Sequence, residues 1–201
     1  MKIELIPIIE LPTFKYPDLE SISDAKNKSR ILIERNYSQV HNLNPTSGLQ
    51  YKLTEINDAD LKKAIKLHTS DLPIEESCSL FGGYALKIDN EIVLHPQCCG
   101  LLNEINDWRK ILDNKFKPFY LSECHPSPKF QLNGDFVIIE CYDENEEFIP
   151  MTKRTIIVEY KLLRKAIENL LNDLNDISKR FDSYKSEFNN AELSEILIWK
   201  E

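Results

Sequence analysis

Six apolar residues near the C-terminus, Leu163, Ile167, Leu170, Leu174, Ile177 and Phe181, lie alternately four and three positions apart. An α-helix puts that spacing on one stripe, because residues three and four apart share a face. Leu162, Ala166 and Leu171 widen the stripe beyond a coiled-coil seam, and fewer than three heptads fit. A broad apolar face of this kind covers a core. The expectation is a long amphipathic helix laid across one face of a sheet; association of two copies through the stripe is the alternative.

The sheet has its own signals. KFQLNGDFVIIECY at 129–142 places Asn133-Gly134 between alternating apolar residues, the pattern of a hairpin with a type I′ turn. YALKIDNEIVLH at 84–95 reads as two strands around Asp89-Asn90, and TIIVEY at 155–160 as a further strand. Residues 2–10 have strand composition and are followed by Pro12, while 31–37 fits a strand or a helix end. NLNPTSG at 42–48 is a loop, LQYKLTEI a strand, and Asn57 an N-cap for a helix carrying Leu61, Ile65 and His68. Leu101, Ile105, Trp108 and Leu112 follow helical spacing, and a last short helix runs from Asn190 to Trp199. Gly82-Gly83 lies in no phosphate-binding pattern and reads as a turn or bulge entering a strand.

Strands in runs followed by helices make an α+β fold with a mostly antiparallel sheet. With 201 residues, 42% of them hydrophobic, a single domain is expected over 1–201. It divides into an irregular N-terminal part (1–56), a main sheet (80–158) and C-terminal helices (159–199).

Charge narrows the partners. The formal net charge is −8, and residues 71–150 carry 15 Asp+Glu against 6 Lys+Arg, so the excess is concentrated there. An acidic field repels phosphate backbones and anionic lipid, which argues against nucleic acid and membrane. A basic protein partner fits, and Glu144, Glu146 and Glu147 are the residues expected to face it; a solvated face is the plainer reading. Glu4, Pro7 and Glu10 break the apolar run at the N-terminus. A cytoplasmic location is therefore expected, with the five cysteines as thiols.

All five cysteines fall in the acidic segment, and two His-Pro pairs adjoin some of them, in HPQCCG at 95–100 and ECHPSP at 123–128. His95, Cys98, Cys124 and His125 form a soft ligand set of the kind zinc takes. The pattern is weaker than paired Cys-x2-Cys knuckles, and adjacent Cys98 and Cys99 are not expected to share one ion. A second reading places Cys98-Cys99 at the N-terminus of the helix that follows, with His125 as base, though no acid is identifiable to orient that histidine. A third makes the cysteines small core residues, as expected for Cys141.

FGGYALKIDNEIVLHPQCCGLLNEINDW, residues 81–108, resembles the small bacterial immunity-protein-like families of the SUKH type: a hairpin leads into a Pro-Gln-Cys-Cys-Gly corner and a short acidic helix with a tryptophan. That resemblance implies an acidic α+β protein that binds another protein, a basic toxin among the candidates, with no catalytic assignment. The sequence thus leads to a non-catalytic protein-binding module. A zinc- or thiol-dependent enzyme built on 95–100 and 124–125 is the alternative.

Overall fold

The computed structural model describes residues 1–13, 23–38, 50–189 and 191–200; the loop expected at 42–48 lies outside them. Along the chain come β1 (Ile3–Glu10), α1 (Ala25–Asn36), β2 (Gln50–Lys52), α2 (Asp58–His68), β3 (Gly82–Ile88), β4 (Glu91–Leu94), α3 (Ile105–Trp108), β5 (Phe119–Tyr120), β6 (Lys129–Asn133), β7 (Phe136–Glu140), β8 (Thr155–Glu159), α4 (Tyr160–Asp182) and α5 (Leu193–Leu197). The fold is α+β, and every strand pairing is antiparallel.

The strands expected as one sheet over 80–158 divide between two, ordered β2-β1-β3-β4 and β5-β6-β7-β8. The N-terminal segment is not irregular throughout: β1 pairs with β3 from Ile3↔Ile88 to Ile9↔Gly82 and stands second in its sheet. Pro7 falls just beyond the Ile8↔Lys52 pair where β2 ends, an edge-like position that tolerates a residue without an N–H. Gly82 is required by that pairing. A Cβ there would lie 2.0 Å from the Ile8 carbonyl oxygen, and its φ of +147° suits glycine.

The amphipathic helix forms as its spacing predicts. α4 buries Leu163, Ala166, Ile167, Leu170, Leu174, Ile177 and Phe181, and it lies against β1 of the first sheet and β7 and β8 of the second. Burying each large apolar side chain contributes about 1.5–3 kcal/mol, so this face is a main tie between the sheets. Lys179 and Arg180 in its last turn complement the helix dipole, and Arg180 pairs with Asp58 at 2.7 Å, at the start of α2. Trp108 is fully buried edge-on to Phe130, with centroids 5.0 Å apart.

Asn57 caps α2 as expected, accepting a hydrogen bond from the Asp60 N–H at 2.9 Å. Residues 31–36 end α1, the helix alternative of the sequence reading. Two local expectations change. The β6–β7 loop is Gly134-Asp135, because Asn133 still pairs with Phe136. Positive φ occurs at Gly134 and not at Asp135, which matches a type II′ turn rather than I′. The 101–112 segment is a 3₁₀ turn (Leu102–Glu104), the single turn α3 and a second 3₁₀ turn (Arg109–Leu112), so no regular helix begins after Cys99.

Candidate functional site

The 95–100 corner leaves β4 and is pinned from several sides. The Gln50 side chain donates to the Pro96 carbonyl at 2.9 Å. Gln97 donates to the His95 carbonyl at 2.8 Å and accepts from the Ile149 N–H at 2.9 Å. The Gly82 N–H donates to the Gly100 carbonyl at 2.8 Å, and the His125 N–H to the Cys98 carbonyl at 3.0 Å. That last bond belongs to a bridge joining a loop of the first sheet to the loop that precedes β6 in the second. The Thr152 hydroxyl donates to the Val93 carbonyl nearby. The corner therefore lies on the seam between the sheets.

Cys99 has a φ of +62°. This left-handed turn breaks the alternation of an extended chain and brings its sulfur within 3.5 Å of the Cys98 sulfur. Adjacent cysteines were not expected to face one point, and this backbone conformation is why they do. Ligand atoms of Cys98, Cys99 and His125 all lie within 4.8 Å of one another, and all three residues are exposed. Glu146 supplies the acid missing from the sequence reading: its Oε2 lies 2.8 Å from His125 Nδ1. The turn is shaped by Asp143, whose Oδ1 accepts from the Asn145 and Glu146 N–H groups at 2.8 and 3.2 Å.

Protonation follows from these neighbours. Glu146, and then Cys99, raise the His125 pKa above the ordinary histidine value. The Cys98 thiol is also pushed up, first by its hydrogen bond with Cys99, then by desolvation and by the nearby negative charges of Cys99, Glu10 and Glu146. With no helix N-terminus behind it and acids nearby, the Cys98 thiol is held protonated. That weakens the nucleophile reading and suits a cation that displaces the protons.

Of the four ligands expected, the structure brings Cys98 and His125 together, adds Cys99, and leaves His95 and Cys124 apart. Cys124 points the other way from its neighbour His125 and is buried against Glu104. His95 is half-buried, its Nδ1 has no hydrogen-bond partner among the described residues, and burial lowers its pKa. Cys141 is buried in the core, as expected. In the acidic turn, Glu146 is committed to His125, Glu147 lines the adjoining cavity, and Glu144 is exposed outside it.

That cavity has a volume of about 690 Å³ and reaches from Cys98, Cys99 and His125 to Glu10 at the end of β1. Phe81, Pro96, Pro126 and Ile149 form its apolar wall. Glu10 gives no sequence signal, since it stands 88 residues from Cys98 and comes close only through the β1–β3 pairing. Among the described residues no helix is long and apolar enough to cross a membrane. Comparisons of the chain with protein-family models, curated proteins and solved structures find no match.

Proposed function

We propose that the protein binds a thiophilic divalent cation, zinc by the chemistry of the donors, at Cys98, Cys99 and His125, and uses it to hold a small molecule in the adjoining cavity. The observation that carries this reading is the convergence of two sulfurs and an imidazole within 4.8 Å. Two sulfurs each about 2.3 Å from a tetrahedral zinc stand about 3.8 Å apart, close to the 3.5 Å between Cys98 and Cys99. Glu146 supports it further. A metal-ligating histidine ordinarily gives its other nitrogen to a carboxylate, and with Nδ1 engaged the ligand nitrogen is Nε2. Three protein donors leave a coordination position open, as ligand-binding and catalytic zinc sites do. A site built on unpaired thiols works where thiols stay reduced, so the cytoplasm is the compartment this reading implies.

Elemental analysis of protein purified without a histidine tag, followed by zinc titration against a chromophoric chelator, tests it. One zinc per chain is expected, lost in Cys98→Ser, Cys99→Ser and His125→Ala and retained in Cys78→Ser. A Cys98→Ser/Cys99→Ser double variant that holds zinc as tightly as the native chain would sink the reading.

A second observation favours a protein partner. Phe136 and Ile157, diagonal neighbours on β7 and β8, are exposed on the outer face of the β5–β8 sheet, and an exposed apolar patch marks an interaction surface. With the acidic turn at Glu144 and Glu147, this supports the immunity-type reading, in which a basic toxin is bound and neutralised. Its complex would associate more slowly as ionic strength rises; an on-rate indifferent to salt would remove the electrostatic part.

A further inference from the structure

One group on the cavity wall has no partner among the described residues. Glu10 is half-buried, and no described residue gives its carboxylate a hydrogen bond or an ion pair. Burial alone raises its pKa, with no cation set against it. The rest of the lining sharpens the imbalance. Among the described residues no lysine or arginine lines the cavity, Glu146 is occupied by His125, and Glu147 adds a further carboxylate. The side-chain amides of Gln50 and Gln97 each give an N–H to a backbone carbonyl, of Pro96 and His95 respectively. In the same lining, Phe81, the backbone neighbour of Glu10, and Ile149 stay 42% and 56% exposed, although large apolar side chains are normally covered.

An apolar cavity of this size takes a ligand of drug-like dimensions. Its chemistry selects among them. A carboxylate in apolar surroundings loses hydration that an organic cation restores, whereas an anion adds repulsion and a neutral molecule gains only apolar contact.

We propose that the cavity binds a monovalent organic cation with an apolar body, an amphiphilic amine, its ammonium set against Glu10 and its apolar part against Phe81 and Ile149. The proposal uses the cavity and Glu10 and requires no metal, so it stands or falls separately from the zinc reading.

Three probes of one shape separate the contributions: 4-phenylbutylamine, 4-phenylbutanol and 4-phenylbutyrate, titrated into chelator-treated full-length protein and followed by methyl NMR. The amine should bind about tenfold or more tighter than the alcohol, with the carboxylate weakest, and the Ile149 methyls should shift. Glu10→Gln should bring amine and alcohol to equal affinity, while Glu144→Gln, on the neighbouring turn, should keep the preference. No binding by the amine, equal binding of all three probes by the native protein, or a preference that survives Glu10→Gln would each overturn the proposal. The comparison on the native protein decides the matter even where the Glu10 variant folds poorly.

Discussion

Glu104 is a carboxylic acid that the fold keeps neutral, and Glu104→Gln measures what that costs. The side chain is 1% exposed, and its Oε1 has no hydrogen-bond partner. Burial raises its pKa to about 8, with Asp107 and Glu123 adding to the effect and the Cys124 thiol and N–H opposing it. The unfolded chain ionises at the ordinary value of 4.5. Below that pH neither state is ionised and the full stability is present. Between 4.5 and about 8 the native state holds a proton the unfolded state has lost, so stability falls as pH rises. Above that range both are ionised and the loss levels off. The slope is about 1.4 kcal/mol per pH unit, or about 3 kcal/mol from about pH 5 to about pH 7.5. Glutamine keeps the shape and cannot ionise. Urea unfolding of both proteins across this range, followed by tryptophan fluorescence, should give curves that diverge in favour of the variant at that slope. Unpaired amide donors in the variant would displace its curve by a fixed amount without changing the divergence. Parallel curves would refute the reasoning, because they would mean that Glu104 gains or loses no proton on folding.

The site makes two further predictions. Glu146→Gln should weaken zinc binding about 10–100-fold while keeping one ion per chain, since the carboxylate orients the histidine without ligating the ion; unchanged affinity in the chelator competition would show that Glu146 has no such part. Alkylation of the native protein, read by mass spectrometry, should modify the exposed Cys78, Cys98 and Cys99. Buried Cys124 and Cys141, the latter with its pKa pushed up to about 12, should react only after unfolding. Zinc should protect Cys98 and Cys99 and leave Cys78 reactive. Equal protection of all three would point to a general tightening of the fold instead.

How much of this was legible depends on the range of the interactions involved. The α4 stripe and the β6–β7 hairpin are local patterns and both form, the hairpin with its turn one residue further along than the Asn133-Gly134 pair indicated. The split into two sheets is not local. β1 finds its partner β3 some eighty residues on, and nothing in either strand's composition says which sheet it joins. At the site, opposed orientation of Cys124 and His125 follows from strand alternation, and the structure shows it. The Cys98–Cys99 convergence rests on a positive φ at a cysteine, a conformation with no sequence signature. Glu146 could be located only as one acid in a run, because which member meets His125 is decided by the seam between the sheets.

The acidic surplus of 71–150 takes on a different meaning once its members are placed. Glu104 is buried and neutral near pH 7, and Asp107, also buried, accepts two hydrogen bonds from Ser122 and pairs with Lys110. Neither contributes a free negative charge to a solvated face. Glu146 and Glu147, joined by Glu10 from β1, instead gather around the cavity. Carboxylates so placed have two opposed effects on a metal. They raise the pKa of Cys98, so an ion must compete with protons for the sulfurs. They also lower the energy of any cation at the opening, and a divalent ion gains twice what a proton gains from the same field. The balance favours metal over proton more strongly as pH rises, because proton competition for the Cys98 sulfur fades. The same field acting on a monovalent organic cation at Glu10 has no thiol proton to displace, so Glu10 can hold such a ligand where a metal bound by the cysteines must first release theirs.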